Sequence, residues 1–310
     1  MSVLEEKVLV SVCCVAFNHE KYIRTCLDGF VNQKTNFKYE VLVHDDASTD
    51  NTASIIQEYA DKYPDIIKPI LQRENQYSKG IWIYEEHLFP KCTGKYIAYC
   101  EGDDYWCDEN KLQKQVDVLE KNPCYLACVH QTKMLNLRKN RERNFARIKE
   151  TGVIEISKVF EAGMPWHLSS LMAKKELLLK KPPFCFVSKQ IQDYPLAVYL
   201  SLQGQVYFLK DVMSVYRRFT EGSWSIYNTS KPNLLLFREM REVLNLADEY
   251  SDYKYHKFMN KRISYFEYKL WRQTEGLNVV RNARFKDLSM KHKVKLIFYI
   301  ICRQMGFKVR

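Results

Sequence analysis

Three carboxylates lie within four positions of this chain, at Glu101, Asp103 and Asp104. They follow the apolar run from Tyr96 to Cys100, which predicts a buried strand. Because like charges repel and an unpaired buried carboxylate is unfavourable, such a cluster is typical of a site for a hard divalent cation that prefers oxygen ligands. The alternative is a solvated acidic turn before a helix that begins near Glu109, and the cluster by itself does not decide between them.

Strands and helices alternate through the first half of the chain and must position these carboxylates. Apolar runs at Val8 to Phe17, Tyr39 to Val43 and Ile66 to Leu71 predict further buried strands, and helical patterns separate them. This alternation predicts an α/β fold with a mostly parallel sheet and right-handed crossovers. Since parallel strands end at one shared edge, Glu20 and Asp46, which follow two of them, are expected to converge with the acidic cluster.

Composition and motifs exclude several classes of protein. A chain of 310 residues can form one large α/β domain with an appendage or two modest domains. No apolar run reaches the roughly 18 residues that span a bilayer, and the N-terminus lacks the basic start of a signal peptide. No glycine-rich nucleotide motif follows a strand, which argues against a dinucleotide dehydrogenase or a P-loop NTPase. The ten scattered cysteines lack the spacing of a zinc site and predict a reduced, cytoplasmic chain.

The last quarter of the chain carries nearly all of its net charge. Residues 231–310 contain 18 Lys and Arg against 8 Asp and Glu, which gives +10 of the total +11. Such a basic segment suits nucleic acid, an anionic membrane surface or solubility alone. Within it, Lys291 to Arg303 predicts either an interfacial helix whose Phe298, Ile301 and Met305 enter a membrane, or a helix packed on the rest of the protein. The positive charge favours the membrane.

Four strings occur in order at the predicted strand ends and helix starts: SVCCVAFNHEKYI, VHDDASTDNT, GKYIAYCEGDDYW and KLQKQVDVLEKNP. Together they resemble the motifs of the family 2 glycosyltransferases, which have the GT-A fold, over roughly the first 220 residues. The resemblance implies a Rossmann-like GT-A domain at 1–228, with a nucleotide-sugar half at about 1–130 and an acceptor half at about 131–228. A basic helical extension follows at 229–310, and it is expected to associate with a membrane.

The resemblance also implies which residues bind the nucleotide sugar. Val15, Ala16, Phe17 and Glu20 would line the nucleotide, with Phe17 packed on the base. Asp46 would accept a hydrogen bond from the uracil imide of a UDP-sugar. For Asp46 the alternative is a turn or helix-capping residue.

The acidic cluster corresponds to the DxD-type motif of the family. The resemblance implies that Asp104 holds Mg²⁺ or Mn²⁺ and that Asp103 reaches the ribose or the sugar. Such a cation stabilises the negative charge of a diphosphate leaving group. Trp106 is either part of the sugar-binding wall or a core aromatic, and Lys79 is either a positive charge near the diphosphate or an exposed loop lysine.

The acceptor side is assigned in the same way. Asp193 matches the family's Asp-x-Pro-Leu pattern and would be the general base that deprotonates the acceptor hydroxyl, with a helix cap as its alternative. His167 lies in a segment that resembles the floor of the acceptor site. Arg217 and Trp224 lie in segments that resemble a flexible loop closing over donor and acceptor, where an arginine would clamp phosphate.

The resemblance therefore implies an inverting, metal-dependent glycosyltransferase. It would move a sugar from a nucleotide sugar, expected to be UDP-linked, to a saccharide or lipid-linked saccharide of a bacterial surface polysaccharide. The predicted location is the cytoplasm, peripheral at the inner face of the cell membrane, and a homo-oligomer is left open. One alternative is a sugar nucleotidyltransferase, which is disfavoured because the first loop is not glycine-rich. A second is a nucleic-acid-binding protein, which is disfavoured because no such motif accompanies the basic tail. A third is an inactive scaffold.

Overall fold

The computed structural model of the chain describes residues 7–161, 164–227, 234–274 and 277–305. Ten strands occur in these ranges: β1 Val10–Ala16, β2 Tyr39–Asp45, β3 Ile67–Leu71, β4 Tyr96–Glu101, β5 Tyr105–Trp106, β6 Tyr125–Asn136, β7 Arg141–Asn144, β8 Gly152–Val153, β9 Met172–Lys174 and β10 Gln205–Arg218. The α-helices of the same ranges are α1 Ile23–Val31, α2 Thr52–Lys62, α3 Lys111–Lys121, α4 Ile156–Glu161, α5 Lys175–Leu178, α6 Asp193–Gln203, α7 Trp224–Tyr227, α8 Leu234–Tyr250, α9 His256–Thr274 and α10 Met290–Gln304.

All of these strands belong to one mixed sheet with the order β3-β2-β1-β4-β9-β6-β10-β5, to which β7 and β8 add at β6 and β10. The long ladders are parallel: β1 pairs with β2 and β4, β2 with β3, and β6 with β10. The short strands β5, β7, β8 and β9 pair in the antiparallel sense. The predicted α/β class with a mostly parallel ladder and C-terminal helices is therefore confirmed.

The central strands are buried on both faces, which explains their unbroken apolar runs. On one face, α1, α2 and α3 pack against alternate residues of β1, β2 and β4. The other face is covered by the segment from Tyr84 to Lys91, a π-helical turn followed by a 3₁₀ turn. There the ring of Tyr99 lies 5.2 Å from that of Tyr84 and 6.4 Å from that of Phe89, as measured between ring centroids. This two-sided packing is typical of parallel strands in α/β proteins.

The chain forms two compact units. The first, here named the sheet unit, comprises Met1–Ile154, Met164–Lys181 and Gln203–Tyr227 and contains the whole sheet. The second, here named the helical unit, comprises Glu155–Gly163, Pro182–Leu202 and Asn228–Arg310. It gathers most of α6 with α4, α8, α9 and α10. The boundary predicted at residue 228 stays a prediction.

The helical unit has its own apolar core around α9 and α10. This cluster consists of Tyr268, Trp271, Val279, Leu288, Leu296 and Ile300. Elsewhere in the unit, Ser188 Oγ donates a hydrogen bond to Glu239 Oε2 at 2.7 Å, which ties the segment before α6 to α8. Within the described ranges, no helix is both long enough and apolar enough to cross a bilayer.

Candidate active site

The carboxyl ends of β1, β2 and β4 form one rim of the sheet, here named the acidic rim. The backbone N–H of Asp46 donates to the carbonyl of Ala16 at 2.9 Å, and that of Gly102 donates to the carbonyl of Val15 at 2.9 Å. Parallel pairing places the end of β1 beside both neighbours, in register Ala16 to Asp45 and Val15 to Glu101. The predicted convergence of the strand-end residues is thus present in the structure.

Asp46 lies buried at this rim, and both of its carboxylate oxygens accept hydrogen bonds. The backbone N–H of Gln76 donates to Oδ1 at 2.7 Å, and that of Tyr77 donates to Oδ2 at 3.1 Å. The side chain of Asn75 donates to the Asp46 carbonyl at 3.1 Å. Asp46 therefore orders the loop after β3, and each of its oxygens retains a second lone pair for a ligand.

Two exposed aromatic rings belong to the two segments that contact Asp46. Phe17, which follows β1, is 42% exposed, and Tyr77 in the loop that Asp46 orders is 51% exposed. Large exposed aromatic side chains beside a buried carboxylate are well suited to packing on a flat heterocycle. The structure thus puts the predicted Phe17 at the surface, and it adds Tyr77, which the sequence reasoning missed because its loop carries no motif.

The loop after β1 and the loop after β2 are joined by side chains. Asn18 adopts a left-handed φ of 55°, and its Oδ1 accepts from the backbone N–H of Thr49 at 2.8 Å. Glu20 Oε2 accepts from the backbone and side-chain N–H groups of Asn51 at 3.2 and 3.1 Å. In this structure Glu20 therefore holds the second loop in place, and its predicted contact with a nucleotide stays a prediction.

Asp104 is 1% exposed, and only uncharged donors reach its carboxylate among the described residues. The hydroxyl of Ser169 donates to Oδ2 at 2.6 Å, and the backbone N–H of Arg217 donates to Oδ1 at 3.0 Å. The Nδ1 of His167 lies 3.6 Å from Oδ2. Burial lowers the pKa of His167 to about 3, so this imidazole is neutral near pH 7 and supplies no countercharge.

The pKa of Asp104 reflects this environment. Burial is the largest cause and raises the pKa of Asp104 well above its usual range, and the negative charge of Asp103 raises it further. The hydrogen bonds from Ser169 and Arg217 lower it. A buried carboxylate that lacks a positive partner binds a proton or a cation more readily than a solvated one.

Asp103 lies at the surface of the same rim, partly exposed. Its Oδ2 accepts from the hydroxyl of Thr220 at 2.7 Å, and its backbone carbonyl accepts from Arg217 Nη1 at 2.8 Å. The guanidinium carbon of Arg217 lies 4.4 Å from the ring centroid of Tyr105 and 5.3 Å from that of Tyr22. These contacts fix the Arg217 head group beside the carboxylates, where it provides positive charge at the rim.

The carboxylate oxygens of Asp103 and Asp104 are the ligands that the motif implies for a divalent cation. Asp103 Oδ1 has no hydrogen-bond donor in the described part of the chain, whereas both oxygens of Asp104 are engaged. Across the described ranges, no group of three or more His, Cys, Asp or Glu side chains is arranged to hold a metal ion. The residues nevertheless fit Mg²⁺ or Mn²⁺ held through one or two carboxylates, since such ions keep several waters and bind substrate phosphates. Asp103 offers the accessible oxygen, and the Asp104 ligand stays a prediction.

Phe219 adopts an unusual backbone conformation beside Asp103. Its φ is 71°, which is rare for a bulky side chain, and its ring lies 4.4 Å from the guanidinium carbon of Arg138 and 4.6 Å from that of Arg218. The hydroxyl of Ser225 accepts from its backbone N–H at 2.8 Å. The next residue, Thr220, is the one that donates to Asp103, so the strained turn delivers this contact.

The environments of Trp106 and Lys79 each favour one of their two interpretations. Trp106 is buried, and its indole N–H donates to the Ser169 carbonyl at 3.0 Å while its ring packs edge-on against Phe30. This burial favours the core aromatic over a sugar-binding wall. Lys79 forms an exposed ion pair with Glu74 within its own loop, which favours the exposed loop lysine.

One expectation for the end of β10 is wrong. Residues 215–218 were predicted as part of a flexible loop, but they are the last four residues of β10, paired in parallel with β6. Val215 and Tyr216 are residue types that are common in strands, and the backbone N–H of Arg217 donates to Asp104. Trp224 begins the short helix α7, and its side chain lies outside the described residues.

Asp193 is the first residue of α6 and lies in the helical unit. Its Oδ1 accepts from the backbone N–H of Tyr194 at 2.8 Å. Burial raises the pKa of Asp193, and the hydrogen bond from the Tyr194 amide partly opposes this rise. A helix-start carboxylate with a raised pKa is suited to accept a proton, and it also satisfies the alternative of a helix-terminal residue.

Two further contacts to the carboxylates were missed from the sequence. Ser169 and Thr220 donate to Asp104 and Asp103 from positions 65 and 117 residues away along the chain. No sequence motif links Ser169 or Thr220 to the carboxylate that it contacts. Only the neighbourhood of Ser169, through His167, carried any signal.

The comparisons with known proteins agree with this geometry. The family model described as glycosyl transferase family 2 matches residues 11–177, more than half of the chain. A Mycobacterium tuberculosis (strain ATCC 25618 / H37Rv) protein named "Uncharacterized protein Rv1520" is 31% identical over 217 residues, which is 69% of this chain and 60% of that protein. The chain thus spans about 60% of the length of that curated relative.

A relative from Escherichia coli has a specific name. The "UDP-Glc:alpha-D-GlcNAc-diphosphoundecaprenol beta-1,3-glucosyltransferase WfgD" is 31% identical over 114 residues, which is 37% of this chain and 42% of that protein. Its name describes a glucosyltransferase that uses UDP-Glc.

Two solved structures show the same fold. TarS 1–349 of S. aureus in complex with UDP-GlcNAc aligns with a TM-score of 0.64 at 14% identity, covering 98% of this chain and 93% of that one. The mannosyltransferase PcManGT from Pyrobaculum calidifontis, in complex with GDP-Man and Mn²⁺, aligns with a TM-score of 0.56 at 15% identity, covering 97% and 87%. With the family model matched over residues 11–177 and the same fold in both solved structures, the chain belongs to glycosyl transferase family 2.

Proposed function

We propose that this glycosyltransferase transfers a sugar from a UDP-sugar to a saccharide or lipid-linked saccharide, with inversion at the anomeric carbon. The observation that carries the proposal is the convergence of Asp46, Asp103 and Asp104 on one rim of the sheet. Carboxylates at strand ends of an α/β sheet are placed where nucleotides bind in such folds. A UDP donor is supported by the name of the E. coli relative and the UDP-GlcNAc complex of the TarS neighbour.

In this proposal the nucleobase packs between the loops that follow β1 and β3. Phe17 and Tyr77 supply exposed rings, and Asp46 accepts the imide N–H of uracil through a lone pair that its two amide contacts leave unused. A base whose ring nitrogen at this position carries no hydrogen, as in cytosine, would set a lone pair against the carboxylate and bind more weakly. Asp46 therefore acts as the residue that selects the base.

The diphosphate lies at Asp103 and Asp104 in this proposal. Asp103 and Asp104 would hold a divalent cation, which would stabilise the negative charge that develops on the diphosphate as the sugar leaves. Manganese in the PcManGT complex supports a divalent ion. Arg217, whose head group lies over the rings of Tyr22 and Tyr105, adds a positive charge that does not depend on a bound metal ion.

Asp193 is the proposed general base. It accepts the proton of the acceptor hydroxyl while the acceptor oxygen bonds to the anomeric carbon and the bond from that carbon to the diphosphate oxygen breaks. The nucleoside diphosphate leaves with the bonding electrons, and Asp193 is left protonated. Its raised pKa supports this role, because a base is most effective when its pKa approaches the working pH.

The test is a calorimetric panel of UDP-, GDP- and dTDP-sugars, each with Mn²⁺ or with EDTA. We expect UDP-sugars to bind most tightly, at least tenfold more tightly with Mn²⁺ than with EDTA. Asp46→Asn should reduce the preference for UDP, because its amide donates where the carboxylate accepts. Asp103→Ala should remove most of the Mn²⁺-dependent part of the affinity.

The matched control is Asp117→Ala, which removes an exposed carboxylate from α3, away from the rim. It should bind donors as the wild type does. Equal affinity with Mn²⁺ and EDTA would contradict the metal role, and tighter binding of a GDP-sugar would contradict the UDP assignment.

A further inference from the structure

A row of apolar side chains lies exposed along the outer face of α10, here named the outer stripe. Its members range from 39% exposed at Ile301 to 72% exposed at Met290, and they are Met290, Val294, Phe298, Ile301 and Met305. Their spacing of four, four, three and four residues keeps them on one side of a helix. A contiguous exposed apolar row of this kind marks a surface that another apolar phase covers.

The opposite face of α10 holds the helix in place. Leu296 and Ile300 are fully buried in the core of the helical unit, in contact with a cluster that includes Tyr268 and Trp271. At the start of α10, Ser289 caps the helix by accepting the backbone N–H of His292. The inner face is therefore packed, and the helical unit presents the outer stripe without any rearrangement of α10.

The charge on α10 has a single sign. Its residues include Lys291, Lys293, Lys295 and Arg303 and contain no Asp or Glu. At 100° per residue, Lys291 and Lys295 lie along one border of the outer stripe. Lys293 lies along the opposite border, where its Nζ donates to the carbonyl of Lys286 at 2.8 Å. An apolar row bordered by ammonium groups is the arrangement that binds an anionic membrane surface.

A second copy of the chain is the competing partner for this face. Two copies that met through their outer stripes would place Lys291 and Lys295 of both helices at the border of the contact, with no acidic residue on either helix to pair with them. Like charges at a desolvated contact are unfavourable. An anionic lipid surface instead supplies the opposite charge along with an apolar interior, so the charge pattern selects the membrane over self-association.

We propose that α10 lies in the interface of a membrane that contains anionic lipids. Phe298 and its neighbours in the outer stripe enter the acyl boundary, and Lys291 and Lys295 contact the lipid phosphates. The helix lies in the plane of the membrane surface rather than across it. This inference concerns the helical unit and does not depend on the donor, the metal or the base proposed above, so either proposal can fail while the other stands.

Flotation of the full chain with lipid vesicles tests this inference. We expect binding to vesicles of phosphatidylcholine with one third phosphatidylglycerol, and at least tenfold weaker binding to phosphatidylcholine alone. The double variant Phe298→Glu/Ile301→Glu should lose vesicle binding. The double variant Lys291→Gln/Lys295→Gln, which keeps the apolar row, should weaken it about 25-fold, because each lysine near an anionic surface contributes roughly fivefold.

The matched control is Leu179→Glu, which places the same charge at an exposed leucine of the sheet unit. It should float as the wild type does. Circular dichroism and the urea unfolding midpoint should be unchanged in all variants, which shows that they are folded. Equal flotation with both lipid mixtures would overturn the proposal, as would size-exclusion data in which the wild type dimerises, Phe298→Glu/Ile301→Glu is monomeric and neither binds vesicles.

Discussion

Lys111 is a lysine whose side chain is fully buried in the core of the sheet unit. Its Nζ donates to Gln115 Oε1 at 2.7 Å and lies 3.8 Å from the ring centroid of Trp106. Gln115 in turn donates to the carbonyls of Cys128 and Ser170, both at 2.8 Å. Burial lowers the pKa of Lys111 from its ordinary value to about 7. The unfolded chain therefore binds one more proton than the folded chain between about pH 7 and the ordinary lysine pKa.

This burial predicts a pH-dependent stability that one substitution removes. Since the unfolded state holds the extra proton, the free energy of unfolding rises with pH above about 7, by up to about 1.4 kcal/mol per pH unit. Lys111→Met keeps the length of the side chain and cannot titrate. Urea unfolding from pH 7 to 9.5 should give a shallower rise for Lys111→Met than for the wild type.

Lys121→Met is the control, because it makes the same change at the exposed end of the same helix, α3. Its stability should follow the wild-type slope. Parallel curves for Lys111→Met and the wild type would show that Lys111 stays charged in the fold, held by the face of Trp106.

Asp193 gives the second prediction at this scale. Asp193→Asn should bind a donor normally but transfer sugar 10² to 10⁴ times more slowly, the usual contribution of a general base. The wild-type rate should rise with pH through the pKa of Asp193, which burial raises above the usual Asp range, because only the ionised form accepts a proton. Calorimetry gives the binding, and turnover against pH gives the rate.

Asp252→Asn makes the same chemical change at an exposed turn of the helical unit, and its left-handed φ of 49° suits asparagine. This variant should keep the wild-type rate and pH profile. Wild-type transfer by Asp193→Asn would remove Asp193 from the proposed mechanism.

At the scale of elements, Gly94 shows how closely β1 and β4 approach. A Cβ built at Gly94 would lie 2.6 Å from the backbone N of Ser11 and 2.8 Å from the backbone C of Val10. Around it, Ser11 Oγ donates to Glu40 Oε1 at 2.6 Å and accepts from the Gly94 N–H at 2.9 Å. These buried bonds link β1, β2 and the turn before β4. The register of the three strands that form the acidic rim depends on this contact.

Gly94→Ala should therefore destabilise the sheet unit by about 2 to 3 kcal/mol, because the methyl group meets backbone atoms that cannot move independently. Urea unfolding measures this change. At Gly204 the added Cβ would instead meet the side chain of Leu126, which can rotate away, so Gly204→Ala should cost well under half as much. Equal destabilisation by the two variants would contradict the argument.

The strands that contain long apolar runs could be predicted from the sequence, and the short strands that add to them could not. β1, β2 and β4 are continuous apolar runs that end in polar residues, so their periodicity and their shared rim were predictable. β9 has three residues and pairs with β4 and β6 only because the tertiary fold brings them together. β10 was mistaken at its end, since Arg217 and Arg218 suggest a surface loop until the long pairing with β6 is known.

At the scale of the whole molecule, the distribution of charge follows the division into units. Nearly all of the net charge lies after residue 230, in the helical unit, while the carboxylates of the acidic rim lie in the sheet unit. Composition alone predicted this separation and the family resemblance predicted the GT-A fold. Neither predicted that residues 182–202 group with the C-terminal helices, because such a grouping depends on contacts far apart in sequence.

The hydrogen bond from the Arg217 backbone to Asp104 has a spectroscopic consequence. This amide donates to Oδ1 of Asp104 at 3.0 Å, and the Asp104 side chain is buried away from water. The chemical shift of an amide proton depends strongly on the charge of its acceptor, so the Arg217 resonance reports whether Asp104 is ionised, protonated or neutralised by a ligand. The amide proton of Arg217, the penultimate residue of β10, thus reports the electrostatic state of the acidic rim.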